Sequence, residues 1–478
     1  MGTILPQKHR HTYTTVCVGD ALIISAITSY TSSFDYSDEL LTETTWICTN
    51  QDALSAIETY AQFYPLLPKS ESCYGWNSWD YYFTTVTHDD IVENVDNICK
   101  DNVLRSSTSY IVIDDGWEHM WGEWEANYKF PKGLKHTASF ISSKGFIPGI
   151  WTAPLCVEQL TKTALRKPEV LIKDQYGDPI MVEGQYLVDP TSPAGEAFLA
   201  DLFIKLHADG FRLFKVDFVR RLLDVDSFYD KTATPYDAAR RLFEIIRRCV
   251  GEGCHIMGCS LPIQCGAGVA DSGRTGIDIH NQWEHFAWAV ESYTFVYWAN
   301  RRIWINDVDF LVVRGTGTSL EKETNVMNPK AHDPNPQGFF KRWRRGPVFN
   351  AIEAETWANF IAMTGGNVFS SDRISMLNER GLELTRNCLA ANGNAAKPLD
   401  LCKDSHCAFW LCKESAGQSL LMINWKMQPQ EMVFVFDEYG LPAPSNHVIK
   451  MSFGTGEIRD GAIRCTLPPH GSTLVYWS

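Results

Sequence analysis

The fold is indicated by one stretch of sequence, AGEAFLADLFIKLHADGFRLFKVDF at residues 194–218. Its first part, residues 194–210, has the apolar spacing of a helix. The second part, FRLFKVDF (211–218), is a short apolar run that carries a carboxylate near its end. Repeated units of this kind join parallel strands through crossover helices. The stretch therefore predicts an α/β protein with a parallel sheet.

Seven further strand candidates, most of them separated by helical segments, lie on either side of this stretch. They are GWNSW (75–79), STSYIVIDD (107–115), GFIPGIWTAP (145–154), HIMGCS (255–260), TGIDI (275–279), RIWINDVDFLVV (302–313) and NVFSSDR (367–373). Eight such units in about 300 residues fit a (β/α)8 TIM barrel with insertions. A doubly wound sheet is the alternative, but it more often has a glycine-rich phosphate loop after its first strand, and the sequence has none there.

The regions before and after the predicted barrel have the pattern of β structure. Residues 1–70 predict a small N-terminal β region with a connector, and residues 71–390 contain the barrel. Residues 391–478 alternate short apolar runs and turns without helices, which is typical of an antiparallel β-sandwich. The predicted architecture is therefore a barrel between a short β segment and a C-terminal sandwich.

The composition indicates a soluble globular protein that does not bind nucleic acid. The chain has 478 residues and a formal net charge of −14, and an acidic surface repels phosphate backbones. No apolar run reaches the roughly 20 residues that cross a bilayer, so no membrane partner is expected. The N-terminus, MGTILPQKHRHTYT, lacks the apolar core of a signal peptide. We therefore expect a cytoplasmic protein, unless a leader has been removed.

Charged and aromatic side chains cluster at the predicted strand ends. In a (β/α)8 barrel the active site lies at the carboxyl ends of the strands. Because a buried charge is costly unless it is paired, several charges at one rim indicate a function rather than packing. The residues at these ends are Trp76, Trp79, Asp114, Asp115, Trp117, Trp151, Lys215, Asp217, Cys259, Ser260, Arg274 and Asp278.

The motif KVDF suggests a nucleophile. Lys215 and Asp217 are two residues apart, so they point to the same side of a strand. An Asp beside a Lys is expected to keep a low pKa and to stay ionised, which suits a carboxylate nucleophile. A structural ion pair is the alternative interpretation.

The stretch ADSGRTGIDI offers a second carboxylate. A retaining glycosidase needs two carboxyl groups about 5 Å apart, one as nucleophile and one as acid and then base. Asp278 can take the second role beside Asp217, and Asp271 is the other candidate acid. A turn or helix-capping role for Asp278 is equally compatible with the spacing.

Two further motifs suit the binding of a sugar ring. In GWNSW, the rings of Trp76 and Trp79 can either pack in a core or form a platform for a flat, hydroxylated ligand. In IDDGW, Asp114 and Asp115 can accept hydrogen bonds from hydroxyl groups. A metal site is the rival reading, but no loop of EF-hand type accompanies these carboxylates.

The order of these motifs resembles a known group of enzymes. GWNSW, IDDGW, GIW, KVDF, RTGIDI, INDVDFL and GG…SSDR follow one another between about residues 70 and 380. This order is similar to that in the clan of α-galactosidases, which contains glycoside hydrolase families 27 and 36. The ending LPPHGSTLVYW (467–477) also resembles the C-terminal β domain of that clan. One motif alone would carry little weight, whereas seven in order are a strong signal.

The resemblance implies a retaining α-glycosidase that uses no metal or organic cofactor. By motif position, it makes Asp217 the nucleophile and Asp278 the acid/base. Asp114 and Asp115 would bind the 4-hydroxyl and 6-hydroxyl of a galacto-configured ring, and Trp79 would be the apolar wall. The remaining residues that it implies around the ring are Trp151, Lys215, Cys259, Ser260 and Arg274.

Position 260 leaves the substituent at C2 of the sugar open. Family 27 galactosidases commonly place Glu after the Cys that matches Cys259, whereas this chain has Ser260. Ser occurs there in N-acetylgalactosaminidases and also in family 36 galactosidases. Ile263, however, is larger than the small residue of the N-acetylgalactosaminidase variant. The resemblance therefore keeps galactose ahead of N-acetylgalactosamine.

The expected substrate is an oligosaccharide or glycoconjugate with a terminal α-galacto-configured sugar. α-N-Acetylgalactosaminidase activity and galactosyl transfer of the raffinose-synthase type are alternatives, because the nucleophile would be the same. A non-catalytic sugar-binding protein is disfavoured, since both carboxylates are present. The similarity to family 36 also allows for a homo-oligomer.

Overall fold

The computed structural model describes most of the chain. The described residues are 2–3, 10–18, 21–29, 44–50, 52–64, 71–320, 347–391, 393–401, 403, 406–414, 417–444, 447–448 and 456–477. Much of the predicted N-terminal β region lies outside these ranges. All the residues predicted to bind or cleave a substrate lie within 71–320.

Eight parallel strands close into a barrel in which sequence neighbours pair and the last strand pairs with the first. The strands are β1 (Tyr74–Asn77), β2 (Tyr110–Ile113), β3 (Ile147–Thr152), β4 (Leu213–Val216), β5 (His255–Gly258), β6 (Ser272–Arg274), β7 (Ile305–Leu311) and β8 (Asn367–Ser370). Every residue of β4 and of β7 is buried, as expected for strands covered on both faces. The predicted (β/α)8 barrel is confirmed.

A helix follows each barrel strand along the chain. These helices are α1 (His88–Lys100), α2 (Leu134–Ser143), α3 (Pro193–Ala208), α4 (Pro235–Val250), α5 (Ile263–Gly266), α6 (Trp283–Val296), α7 (Ala351–Thr364) and α8 (Glu379–Leu389). Local sequence explains, for example, why α4 begins at Pro235. The hydroxyl of Thr234 accepts the backbone N–H of Asp237, and the carboxylate of Asp237 accepts the backbone N–H of Thr234. Further helices lie at Ala53–Ala61, Trp79–Tyr82, Asn102–Ser107 and Lys162–Arg166.

The sixth strand does not lie where the sequence pattern predicted it. TGIDI (275–279) was the expected strand, but β6 is the preceding segment Ser272–Arg274. Thr275 still donates its N–H to the backbone oxygen of Asp307, and the chain then leaves the sheet. Ile277 is exposed and Ile279 is buried under the loop. The alternating apolar residues of TGIDI therefore belong to a packed loop and not to a hydrogen-bonded strand.

Small antiparallel sheets occupy the connections after β2 and β3. Glu118–Met120 pairs with Glu123–Ala126 in the first connection. In the second connection, Gln185–Leu187 lies between Cys156–Val157 and Met181–Val182. Both connections start at the carboxyl ends of their strands, so they add walls at that end of the barrel.

The C-terminal part consists of two antiparallel sheets, as predicted for a β-sandwich. The first sheet has five strands in the order Lys397–Pro398, Phe409–Glu414, Gly417–Ile423, Ser472–Trp477 and His447–Val448. The second sheet has three strands in the order Gln430–Val435, Ala462–Leu467 and Gly456–Arg459. Leu420, Phe434 and Val475 are among the buried residues that hold the two sheets together. In the N-terminal region, Arg10–Val18 pairs with Ala21–Ser29, and Gly2–Thr3 with Thr45–Trp46. The domain boundaries near residues 70 and 390 stay predictions.

Candidate active site

The residues that were predicted for a site meet at the carboxyl end of the barrel. Asp114 and Asp115 directly follow β2, and Asp217 directly follows β4. Because the strands are parallel, their carboxyl ends form one rim. A cleft of about 470 Å³ opens there between the loops after β4, β5 and β6. Its lining includes Asp217, Cys259, Ser260, Arg274 and Asp278.

Asp217 is held by three hydrogen-bond donors. Its Oδ1 accepts the backbone N–H of Phe218 at 2.6 Å and the hydroxyl of Ser260 at 3.3 Å. Its Oδ2 accepts the indole N–H of Trp151 at 3.2 Å. The carboxylate is half-buried and faces the cleft. A carboxylate fixed in this way can attack an atom that a ligand places in the cleft.

The prediction that Lys215 keeps the pKa of Asp217 low is wrong. Burial raises the pKa of Asp217 above its ordinary value, and the attraction of Lys215 offsets this only in part. The Nζ of Lys215 lies 2.7 Å from Oδ2 of Asp114. The positive charge that is adjacent in sequence is therefore engaged mainly with a different carboxylate.

Asp278 lies in the loop after β6 and also has both oxygens occupied. Its Oδ1 accepts from Arg274 and its Oδ2 accepts from the indole of Trp79, each at 3.2 Å. Burial by itself would raise the pKa of Asp278, but the positive charges of Arg274 and Lys215 outweigh it and hold this pKa below its ordinary value. These contacts keep the carboxyl group ionised.

A buried ion pair joins β4 to the carboxyl end of β2. The Oδ2 of Asp114 accepts from Nζ of Lys215 at 2.7 Å and from the side-chain amide of Asn77 at 2.8 Å. Burial opposes the charge of Lys215, but the attraction of Asp114 is stronger and raises the pKa of the lysine. Lys215 also lies 4.8 Å from the centre of the Phe310 ring. The pair presents a fixed cation and a fixed acceptor, which suits two neighbouring hydroxyl groups.

Asp115 lies beside a carboxyl group that the sequence analysis missed. Its Oδ1 accepts from the indole of Trp121 at 3.3 Å. Burial raises the pKa of Asp115 well above its ordinary value, and the negative charge of Glu118 raises it further. Glu118 Oε2 accepts the N–H of Gly116 at 3.3 Å. A carboxyl group that keeps its proton can donate to a ligand hydroxyl as well as accept from one.

Backbone strain is concentrated around Asp217. Phe218, the next residue, has a φ of 57°, and Ser260, whose hydroxyl contacts Asp217, has a φ of 51°. Left-handed conformations of this kind cost about 1–3 kcal/mol in residues other than glycine, and they cluster at functional sites. Cys259 directly precedes Ser260, and burial raises the pKa of its thiol well above the ordinary value. The thiol is therefore neutral and inert, and the two strained residues aim polar atoms at Asp217.

Asp309 is a second residue that the sequence analysis missed. It lies at an irregularity in the register of β7, with a φ of 91°. One of its oxygens lies 2.7 Å from Nη1 of Arg274, and the other accepts the N–H of Ile279 at 2.6 Å. It thus ties the Asp278 loop to the arginine that binds Asp278. The signal was present in INDVDFL, where two carboxylates occur in an otherwise apolar strand.

The two tryptophans of GWNSW have different surroundings. Trp76 is fully buried, and its indole donates to the backbone oxygen of Asp372 at 2.8 Å. Trp79 is only partly buried and contacts Asp278. Packing therefore accounts for Trp76, whereas Trp79 contacts a residue that lines the cleft.

Asp271 is not part of the cleft. It directly precedes β6, at the amino end of the barrel, and its carboxylate lies 2.5 Å from Arg247. The same carboxylate accepts the N–H of Ile256 at 2.7 Å. Of the two candidate acids in this stretch, Asp278 is the one that shares a cleft with Asp217.

The described ranges contain neither a cluster of metal ligands nor a membrane-spanning helix. Within those ranges, no group of three or more His, Cys, Asp or Glu residues could hold a metal ion. No helix of the same residues is long and apolar enough to cross a membrane.

The geometry suits displacement at a carbon atom with an oxygen leaving group. Asp217 can attack from a fixed position, and Asp278 can transfer a proton once one of its donors is displaced. The Asp114–Lys215 pair and Asp115 provide polar contacts beside these two carboxyl groups. Two carboxyl groups that face one cleft are compatible with double displacement on a sugar.

Comparison with known proteins gives a short sequence match. No family model matches the sequence. An α-galactosidase from Oryza sativa subsp. japonica is 28% identical over 83 residues, which make up 16% of this chain and 20% of that protein. The match therefore spans about a fifth of the relative's length.

Solved structures match over much more of the chain. An α-galactosidase from Thermus thermophilus has a TM-score of 0.58 at 20% identity, over 75% of this chain and 68% of the other. A family 27 β-L-arabinopyranosidase from Geobacillus stearothermophilus has a TM-score of 0.63 at 17% identity, over 86% of this chain and 97% of the other. At these identities, the structures establish a shared fold.

Motif order, a local sequence match and the fold agree with one another. The resemblance drawn from the motifs is confirmed by sequence matches to curated α-galactosidases, and the solved structures agree with the predicted fold. The chain is therefore α-galactosidase-like, similar in sequence motifs and fold to the clan of glycoside hydrolase families 27 and 36.

Proposed function

We propose that this chain is a retaining α-galactosidase that removes terminal α-linked galactose. The observation that carries the proposal is the pairing of Asp217 and Asp278 across one cleft, each bound to the indole N–H of a tryptophan. Asp217 faces the cleft and Asp278 is partly exposed there, which supports a chemical role for both beyond the ion pair of Asp278 with Arg274.

In this proposal, Asp217 attacks the anomeric carbon and forms a covalent glycosyl–enzyme intermediate. Asp278 first gives a proton to the departing oxygen and then removes one from the water that hydrolyses the intermediate. The carboxylate of Asp278 must therefore take up a proton when substrate binds. We expect sugar hydroxyls to engage Arg274, which would weaken the hydrogen bond that keeps Asp278 ionised.

Recognition of the ring follows from the polar groups beside the two carboxylates. We assign Asp114 and Lys215 to the 4-hydroxyl, Asp115 to the 6-hydroxyl and Trp79 to the apolar face of the ring. Support comes from the fixed ion pair and from the protonated state that burial favours in Asp115. Trp151, Cys259, Ser260 and Arg274 complete the proposed ring contacts.

Complexes of a structural relative indicate the substrate class. The Thermus thermophilus enzyme has been solved with p-nitrophenyl α-D-galactopyranoside and with stachyose. We propose that this chain likewise acts on oligosaccharides or glycoconjugates with a terminal α-galactosyl group. A homo-oligomer and a cytoplasmic location stay predictions.

The test is hydrolysis of nitrophenyl glycosides by the purified protein. We expect turnover of the α-galactoside and much slower turnover of the α-N-acetylgalactosaminide and the β-L-arabinopyranoside. Proton NMR of the first product should show the α-anomer, since two displacements retain configuration. Initial formation of the β-anomer would contradict the retaining mechanism.

The other outcomes identify the alternatives. Preference for the N-acetylgalactosaminide would mean that the exposed side chain of Ser260 leaves room for an acetamido group. Release of nitrophenol with little free galactose, in the presence of a sugar acceptor, would indicate galactosyl transfer. No turnover of any of the three glycosides would contradict the proposed function.

A further inference from the structure

The loop that carries Asp278 is attached to the loop after β1 by two adjacent contacts. Trp79 donates to Asp278, and the next residue, Asp80, is hydrogen-bonded to Nδ1 of His280. The first contact touches the proposed acid/base itself. The second lies directly behind it and is fully buried, with Asp80 at 0% and His280 at 2% exposure.

Asp80 is fixed from several other sides. Arg314 donates to Oδ2 of Asp80 at 2.5 Å and to its backbone oxygen at 3.1 Å. The N–H of Asp80 donates to the hydroxyl of Ser371 at 2.8 Å. Arg314 also donates to Asp372 at 2.7 Å. We refer to Asp80, His280, Arg314 and Asp372 as the brace.

The brace joins the loops that follow β1, β6, β7 and β8. Burying a charged group has a desolvation cost that is repaid only when its partners are well placed. Packing alone does not require such groups at these positions. Their effect here is to fix Asp80, which in turn fixes His280, two residues beyond Asp278.

The chain between Arg274 and Asp278 contains Gly276 and the exposed Ile277, so it offers little support of its own. Asp309 holds the loop from the other side through the N–H of Ile279. Asp278 thus lies in a short loop that is held on one side by β7 and on the other by the brace. A displacement of about 1 Å in a catalytic group can lower a rate by about 10²-fold.

We propose that His280 is a positioning residue for the acid/base function of Asp278, acting through its hydrogen bond to Asp80. His280 lies behind the reacting groups and would not touch the substrate. The inference rests on the proposed function, because it requires proton transfer by Asp278. It goes further by assigning a task to a buried histidine outside the cleft.

The test compares substrates whose leaving groups differ in their need for a proton. kcat/KM is measured for methyl α-galactoside, which needs protonation on departure, and for 2,4-dinitrophenyl α-galactoside, which does not. In His280→Leu we expect the ratio of the first value to the second to fall by about tenfold or more. A merely structural role would lower both values equally and leave the ratio unchanged.

A matched control is available at the amino end of the barrel. His255 starts β5 and is hydrogen-bonded to the hydroxyl of Ser272 at 2.7 Å. We expect His255→Leu to leave the ratio at the wild-type value, even if it lowers the melting temperature. The same fall in ratio in both variants would overturn the proposal.

A second pair of variants serves if His280→Leu does not fold. In His280→Asn the amide nitrogen lies near the place of Nδ1 and can keep the bond to Asp80, whereas in His280→Gln it lies near Nε2. We expect the ratio to be retained in the first and lowered in the second, and equal ratios would overturn the proposal. If the wild type hydrolyses neither substrate, the proposed function itself fails, and this inference fails with it.

Discussion

Asp271 and Asp278 belong to one short stretch of sequence but lie at opposite ends of the barrel. At the amino end, Asp271 is paired with Arg247 and accepts a backbone N–H, so its hydrogen-bonding capacity serves the fold. At the carboxyl end, Asp278 is half-exposed to the cleft and is held by two side-chain donors. The same residue type is therefore used for stability at one end and, in our proposal, for chemistry at the other.

The two ends also differ in strain. Phe218, Ser260 and Asp309 have left-handed backbone conformations at or near the carboxyl ends of β4, β5 and β7. At the amino end, Arg301 has a φ of 61° just before β7. Its side chain donates to Ser72 and to the backbone of Gly393, each at 3.2 Å. We therefore expect the strain at Arg301 to be offset by its two side-chain hydrogen bonds, whereas the long contact of Ser260 with Asp217 offsets little of the strain at Ser260.

The largest difference is expected between Asp217→Asn and Asp271→Asn. Asp217→Asn should lower kcat/KM on nitrophenyl α-galactoside by about 10⁴-fold or more, because it removes the nucleophile. Asp271→Asn should stay within a few-fold of the wild type but lower the melting temperature. Steady-state kinetics and thermal unfolding of both variants provide the measurement. Near-wild-type activity of Asp217→Asn would contradict its assignment.

A second contrast concerns the ion pairs of the two ends. The side chains of Lys215 and Asp114 are 4% and 2% exposed, whereas those of Arg247 and Asp271 are 16% and 26% exposed. Lys215→Met leaves a buried carboxylate without its partner, so we expect the free energy of unfolding to fall by about 3–5 kcal/mol. Arg247→Met should cost about 1 kcal/mol, because solvent can reach its partner. Chemical denaturation measures the free energy of unfolding of both variants. Similar decreases in the two variants would contradict the expected difference between the two ion pairs.

The pKa of Asp217 gives a smaller and pH-dependent effect. A nucleophile acts in its ionised form, and burial raises this pKa, so kcat/KM should rise with pH through a limb above the ordinary Asp value of about 3.9. A carboxyl group with a raised pKa contributes stability below its unfolded pKa, and this stability is lost as the pH rises through the folded pKa. Asp217→Asn should therefore gain stability relative to the wild type as the pH rises. A constant difference in melting temperature across this pH range would contradict the raised pKa.

The smallest effect is expected for Ser260→Gly compared with Arg301→Gly. Glycine adopts φ values near 50–60° without strain. Ser260→Gly should gain about 1 kcal/mol in stability and change kcat/KM by only a few-fold, since the hydroxyl contact to Asp217 is long. Arg301→Gly loses two hydrogen bonds and should gain nothing. Thermal unfolding of the two variants decides whether strain at the carboxyl end is uncompensated.

Short-range patterns were sufficient to predict the barrel and its main carboxylates. Strand β2 is a continuous apolar run and β4 is apolar except for Lys215, and Asp114 and Asp217 follow these strands directly. The sixth strand was misplaced because TGIDI alternates like a strand although only Ile279 is buried. An alternating apolar pattern therefore does not distinguish a loop that buries an apolar side chain from a β-strand that is hydrogen-bonded in a sheet.

Contacts between distant parts of the chain were not predictable in this way. The sequence places Lys215 near Asp217, but it does not reveal that the amine binds Asp114, so the predicted pKa of Asp217 had the wrong direction. Asp80 and His280 are separated by 200 residues and meet only after the barrel closes. Motif order identified which residues reach the rim, and only the assembled fold determines which of them pair.

The brace has a consequence for how the protein is made. Asp80 is synthesised early, Arg314 much later and Asp372 after the last barrel strand, so the brace is incomplete while β8 is still inside the ribosome. Likewise, the indole of Trp76 in β1 cannot donate its hydrogen bond to the backbone oxygen of Asp372 until Asp372 has been synthesised. A nascent chain that ends before β8 therefore contains Asp217 and Asp278 but lacks part of the support that fixes the Asp278 loop. The cleft is completed late in translation, when the first and last strands of the barrel meet.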